Sequence, residues 1–249
     1  MTEWVNAKVI KNKKWNQKLF KIILHAPISP FIAGQFSKFS IKNHENKNIY
    51  RIYSYVNAPN NTNLEFCITR IPNGIMTNQL YRLKPGDIIN ISKYSAGFFT
   101  INEIPSCEIL WMFATGTAVG PFCSILQDGK GLDKFKKIIL TYATKYKDEL
   151  IYKKLIQKIQ KKYYNKLILQ TITSQEKDPG SLQGRIPKLL KNQAIENNVG
   201  YIMHKNNSHV MLCGNPDMVK DTTSVLIKYK NLQKHFRRKP GHISQENYW

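Results

Sequence analysis

The chain has 249 residues, of which 42% are hydrophobic and 11% aromatic, enough for one large domain or two ordinary ones and too apolar for a disordered chain. Lys and Arg number 38 against 16 acidic residues, a formal net charge of +22, so the field around the molecule suits nucleic acid, an anionic membrane surface or an acidic protein. Many of the lysines stand among asparagines and isoleucines, as in KNKKWNQKLFKI and IKNHENKNIYRI. AT-rich coding produces that bias without selection, and a merely solvated lysine-rich surface stands beside the partner reading.

Cys67, Cys107, Cys123 and Cys213 form no C-x-x-C pair, and the six histidines show no metal-ligand spacing. No metal site and no disulfide framework is expected, and reduced thiols in a cytoplasm are the simplest account. The opening MTEWVNAKVIKNKKW lacks the basic-then-apolar order of a secretory signal.

Before about Phe99, short runs of alternating polarity are divided by turn residues: NAKVIKNKKW, LFKIILHAP, GQFSKFSI, IYRIYSYVNAP, NLEFCITRI and DIINISK. They predict an antiparallel barrel or sandwich, with GIMTNQLYRL as a short helix and LKPGD as the turn into the last strand. A domain boundary is expected near SAGFFTINEIPSCE, giving domains of residues 1–99 and 100–249.

The stretch ILWMFATGTAVGPFCSIL, Ile109 to Leu126, carries no charge. As a membrane span it is marginal for length, although Gly116 and Gly120 have the spacing of a helix-packing pair. Divided as EILWMFA and TGTAVGPFCSILQ, it becomes a buried strand, a tight turn and a helix. The chain then continues with KKIILTY, DELIYKKLIQKIQKKYY, KLILQTI, PKLLKNQAIENN, HVMLC and PDMVKDTTSVLIKY. Strand and helix alternate, which predicts a parallel α/β sheet with right-handed crossovers and no membrane insertion. Ligands of such sheets bind beyond the strands' carboxyl ends, here ATGTAVGP, TYATKY and MLCGNPD. In the last, Asn215 suits a helix N-cap and Pro216 its first turn. Neither G-x-G-x-x-G nor a P-loop is present, so glycine alone does not specify a nucleotide.

RIYSYVNAP resembles the R-x-Y-S flavin motif of the ferredoxin-NADP(+) reductase family, and ATGTAVGPF resembles its pyridine-nucleotide turn. LCGNPDMV is similar to the strand end near the nicotinamide, and ENYW to the ending of the bacterial ferredoxin (flavodoxin) reductases. The four occur in family order over nearly the whole chain. The resemblance implies a two-domain fold: an N-terminal antiparallel Greek-key β-barrel binding FAD, and a C-terminal α/β parallel sheet binding NADP(H), its tail returning to the flavin. It also implies an FAD-dependent enzyme that moves electrons from NADPH through FAD to ferredoxin or flavodoxin.

For FAD, the resemblance implies Arg51, whose planar fork suits the pyrophosphate, then Ile52, Tyr53 and Ser54, with Ser54 bonding flavin N5. Tyr at alternating strand positions is equally ordinary sheet packing. Cys67, Ile68, Thr69 and Thr117 are further implied contacts. Gly74, Ile75, Met76 and Thr77 would offer a helix N-terminus to the pyrophosphate. Tyr248 would stack on the flavin and Trp249 on the adenine of a folded FAD. For NADP(H) the implied residues are Thr115, Gly116, Thr144, Lys145, Ser174, Gln175, Arg185, Cys213 and Gly214. Ser54, Cys213, Glu246 and Tyr248 form the implied catalytic group. Lys145 and Gln175 stand where the bacterial enzymes usually carry Arg; Lys145 loses the bidentate fork and Gln175 the charge. The implied partners are acidic electron carriers, without nucleic acid, and the chain is expected to be monomeric. A related NAD(P)H-dependent flavin reductase is the nearer alternative. A basic nucleic-acid binder using KKYYNK and FRRKPGH is the remoter one, and it leaves RIYS, ATGTAVGP and ENYW without a purpose.

Overall fold

The computed structural model describes residues 2–43 and 45–248. Period-two alternation builds its first sheet from β1 (Trp4–Lys14), β2 (Leu19–His25), β3 (Phe36–Lys42), β4 (Asn48–Ser54), β5 (Asn63–Thr69) and β6 (Ile88–Ser92); helix α1 (Ile75–Arg82) lies between β5 and β6. All pairings are antiparallel, in the order β4-β3-β6-β1-β2-β5. The two outer strands meet where Tyr55 bridges Phe66 and the Val56 N–H donates to the Glu65 carbonyl at 2.9 Å, which closes a barrel of Greek-key connectivity. Phe20, Ile22 and Leu24 of β2 and Leu64, Phe66 and Ile68 of β5 point into it. Phe66 meets the Phe39 ring edge-on at 4.8 Å and the Tyr55 ring at 5.1 Å.

The second sheet is made of β7 (Ile109–Thr115), β8 (Lys137–Thr144), β9 (Leu167–Thr173), β10 (Ser181–Gln183), β11 (Ser208–Gly214) and β12 (Ile243–Asn247). Every pairing is parallel, in the order β10-β9-β8-β7-β11-β12. The helices are α2 (Gly120–Asp128), α3 (Lys153–Lys162), α4 (Ile186–Lys191), α5 (Ala194–Val199) and α6 (Pro216–Lys230). β7, β8 and β11 are buried almost throughout, as a strand covered on both faces requires. Among the described residues no helix is long and apolar enough to cross a membrane.

Contacts divide the chain into two units, Met1–Thr100 with Gly120–Asp128, and Ile101–Val119 with Gly129–Trp249. The segment forming α2, placed by the sequence in the second domain, therefore groups with the barrel. Ser124 Oγ donates to the Asn57 carbonyl and Gln127 Nε2 to the Val56 carbonyl, both at 2.7 Å.

The sequence reading does not predict β10, and three further local features differ from it. The helix expected over DELIYKKLIQKIQKKYY begins only at Lys153, because the Glu149 carboxylate turns back to accept the N–H groups of Lys145 (3.0 Å) and Tyr146 (3.3 Å). The helix expected over PKLLKNQAIENN breaks into α4 and α5 at Gln193, whose φ is +61°, and the Asn192 side chain accepts the Ala194 N–H. Strand β12, ISQEN, is polar and hangs on the sheet edge, so no apolar run announced it.

Because Phe66 is fully buried where the barrel closes, Phe66→Ala is expected to cost about 3–5 kcal/mol, read as a lowered urea midpoint.

Candidate functional site

Strand order in the parallel sheet runs from β7 outward through β8, β9 and β10, then returns to place β11 and β12 on the other side of β7. The reversal lies between β7 and β11, the switch point at which such sheets take ligands. The two strand ends there nearly touch. The Asn215 N–H donates to Thr115 Oγ1 at 3.1 Å, and a Cβ added at Gly214 would lie 2.1 Å from that oxygen and 2.7 Å from Met218 Cε. Gly116 has a φ of +57° with open space where a side chain would stand, which suits close approach of a ligand. Beyond Gly214, the Asn215 side chain accepts the N–H groups of Asp217 (2.9 Å) and Met218 (3.3 Å), capping α6 as expected.

The ends of β8 and β9 are tied side by side. The Ser174 N–H donates to the Thr144 carbonyl at 3.0 Å and the Gln175 N–H to the Lys145 carbonyl at 2.9 Å. The Gly184 N–H reaches the Thr173 carbonyl at 3.1 Å, bringing the neighbouring Arg185 to the same strand end. Lys145, Gln175 and Arg185 are exposed there. Two cations and an amide beside free strand ends fit an anionic group such as a nucleotide phosphate.

In β12, Glu246 lies opposite Cys213 and Asn247 opposite Gly214, and the Tyr248 N–H donates to the Gly214 carbonyl at 3.0 Å. Burial pushes the Cys213 thiol well up, with the Glu246 charge adding to it. Burial also lifts the Glu246 carboxyl to about 7, so a protonatable group lies beside the switch point near neutral pH. Thr117 is buried in the short 3₁₀ turn Gly116–Val119. Trp249 lies outside the described residues.

In the barrel unit, Arg51 is exposed on β4 and folds Nη1 onto the Tyr50 carbonyl at 2.7 Å, with exposed Ile52 beside it. The Tyr53 ring sits in the barrel cluster, edge-on to Phe39 at 4.8 Å, and burial raises its phenol. Ser54 is buried. Cys67 and Ile68 are buried on β5 and Thr69 is partly exposed. Helix α1 starts at Gly74 without a side-chain cap, which leaves its first N–H groups, those of Ile75, Met76 and Thr77, for a ligand. A Cβ at Gly74 would approach Thr77 Oγ1 to 2.8 Å. The open helix start and the exposed Arg51 fit the phosphates of a flavin nucleotide, and the buried Ser54 hydroxyl fits its ring.

The family described as oxidoreductase FAD-binding domain matches residues 6–99, and that described as oxidoreductase NAD-binding domain matches residues 112–224. The flavodoxin/ferredoxin–NADP reductase of Buchnera aphidicola subsp. Schizaphis graminum (strain Sg) is 53% identical, with all of both chains covered. That of Escherichia coli (strain K12) is 47% identical, again over all of both chains. The chain belongs to the flavodoxin/ferredoxin–NADP reductase family. A crystal structure of a ferredoxin NADP+ reductase from Neisseria gonorrhoeae with bound FAD and NADP is similar across the whole of both chains, with a TM-score of 0.93 at 29% identity.

Within this family fold, sequence reasoning missed what holds α1 in place. Asn78 Nδ2 donates to the Gly74 carbonyl at 2.8 Å, and its Oδ1 accepts Arg70 Nε at 2.7 Å. At the other end, Asn12 Nδ2 donates to the Leu80 and Leu83 carbonyls, each at 2.9 Å. Asparagines scattered in an asparagine-rich chain carry no signal of such roles.

The raised Glu246 carboxyl has a definite pH consequence. The native state binds its proton more tightly than the unfolded chain, so its contribution is full below the ordinary carboxylate range and is lost as pH rises through about 7. Glu246→Gln is expected to gain on the order of 1–2 kcal/mol relative to wild type between pH 5 and pH 8, measured from paired urea midpoints. A constant difference between the two proteins contradicts the assignment.

Proposed function

We propose that the protein is an FAD-dependent oxidoreductase that passes electrons from NADPH through bound FAD to ferredoxin or flavodoxin. The observation that carries this reading is the presence in one chain of both half-sites, the uncapped α1 start with Arg51 and Ser54 on the barrel, and the open β7 and β11 ends of the parallel sheet. Full-length identity of 47–53% to flavodoxin/ferredoxin–NADP reductases supports it.

FAD, when bound, supplies the conversion between two-electron hydride chemistry and one-electron delivery. The protein's own residues bind and orient. Arg51 and the N–H groups of Ile75, Met76 and Thr77 would hold the flavin's diphosphate, and the Ser54 hydroxyl would serve as a hydrogen-bond partner for the ring nitrogen N5. Thr115, Gly116 and Gly214 would let the nicotinamide end approach backbone, with Cys213 at the same strand end. Glu246 holds a proton near neutral pH, and Tyr248 would supply an aromatic face for the flavin ring. Lys145 and Arg185 hold the 2'-phosphate, with Thr144, Ser174 and Gln175 completing the pocket. Gln175 brings no charge, so preference for NADPH rests on the other two.

The acceptors on this reading are acidic carriers, drawn by the basic field, with no nucleic-acid partner, and the chain works as a cytoplasmic monomer. The test is a visible spectrum during anaerobic NADPH addition. A bound-flavin spectrum that bleaches with about one equivalent is the expected result, with NADH needing a higher concentration for the same bleaching. A protein that neither carries flavin nor binds it when supplied refutes the reading.

A further inference from the structure

Three histidines of the second unit surround the segment that leads into the C-terminal strand, and the residues assigned above leave them without a role. His209, on β11, is 2% exposed, and its Nε2 lies 2.9 Å from Ser244 Oγ on β12. Its ring meets that of His235 edge-on at 5.5 Å. His235 Nδ1 accepts the Gly241 N–H at 3.1 Å, and His242 Nδ1 accepts the Gln233 N–H at 3.2 Å. The Gly241 backbone also bonds the His209 ring, and a Cβ at Gly241 would lie 2.4 Å from the Lys234 carbonyl oxygen. The His242 carbonyl in turn accepts the Val210 N–H at 2.7 Å.

An imidazole that accepts a backbone N–H through Nδ1 has to keep that nitrogen bare, with its proton on Nε2. Protonating Nδ1 turns the acceptor into a donor facing another donor. Two such bonds close the loop 233–242 onto itself, and a third ring joins the loop's end to β11 and β12. Side chains two apart share a strand face, so His209 and Cys213 lie on one face of β11, and Ser244 and Glu246 on the same face of β12. The histidines therefore support the strand that brings Glu246 beside Cys213 and Tyr248 to Gly214.

The surroundings disfavour protonation of the buried His209 ring. Lys134 Nζ, held by the Ile101 and Ile104 carbonyls at 3.2 Å and 3.0 Å, faces the cluster, with the Cys107 thiol near His209. Lys234, Arg238 and Lys239 come from the loop itself. Glu103, on the segment that carries the Ile101 and Ile104 carbonyls, is paired with Arg237 at 3.1 Å. Burial, then the neighbouring His235, His242 and Lys134, push the His209 ring down to about 3.

We propose that His209, His235 and His242 are positioning residues that, in their neutral form, hold the C-terminal strand in register, and that protonation of the two rings that accept backbone N–H groups, His235 and His242, loosens the strand carrying Glu246 and Tyr248 while His209 stays neutral. The functional half of this inference rests on the reading of those two residues given above; the structural half does not.

The experiment is hydrogen–deuterium exchange on the FAD-loaded protein, corrected for intrinsic rates, at about pH 8 and about pH 5.5, with NADPH affinity measured in parallel. Protection over residues 231–248 is expected to fall about tenfold or more at the lower pH relative to β7–β9. NADPH binding is expected to weaken about threefold or more while FAD stays bound. The double variant His235→Gln, His242→Gln offers amide oxygens that accept the same N–H groups and do not titrate, so its protection is expected to stay level across that range. Glu246 is present in both proteins and cancels from the comparison. Wild-type protection that does not change with pH, or a double variant that follows wild type, overturns the proposal. If the double variant is loosened at both pH values, the wild-type contrast alone decides. Failure of NADPH to bind at either pH, with the exchange contrast intact, refutes the functional reading and leaves the histidine cluster standing.

Discussion

The space between the ends of β7 and β11 is too small for a methyl group, and the nucleotide half of the site is organised by that contact. Gly214 has to be glycine because Thr115 Oγ1 occupies the place of its Cβ, and Thr115 is there because it satisfies the Asn215 N–H. Asn215 caps α6, the Gly214 carbonyl receives Tyr248, and Cys213 faces Glu246 one step further back. One close approach thus fixes a helix start, a strand end and the placement of the C-terminal residues, and leaves the nearby Gly116 backbone open.

The barrel unit reaches a comparable end by different means. Its helix α1 has only eight residues, too short to hold itself, and side chains tie both of its ends while leaving its first N–H groups uncapped. The strong basic charge contributes little to either arrangement. Few cations belong to the assigned sites: Arg51, Lys145 and Arg185. Others lie over aromatic rings, as Lys14 does over Tyr81 at 4.2 Å, or in surface pairs such as Lys136 with Glu108. Such contacts are each worth little, which favours a solvated lysine-rich surface as the source of much of the +22 charge.

Sequence patterning made the architecture legible wherever burial follows a period. Alternation in LFKIILH and NLEFCIT gave the barrel strands, and continuous apolarity in ILWMFAT and KIILTYAT gave the covered parallel strands. Elements defined by a single bond were invisible. The late start of α3 depends on one glutamate turning back, the break between α4 and α5 on one asparagine, and β12 on backbone pairing without an apolar face. The site followed the same division. Strand-end motifs marked Thr115, Gly214 and Asn215, but not the supporting roles of Asn78 and His209, which arise only when distant segments are brought together.

The most direct measurement is NADP+ binding to Gly214→Ala, followed by the difference spectrum of the flavin-loaded protein. An added methyl group has to displace Thr115, so binding is expected to weaken by about tenfold or more, while flavin content and its spectrum stay as in wild type. Wild-type NADP+ affinity in the alanine variant would contradict the claim that this contact organises the nucleotide site.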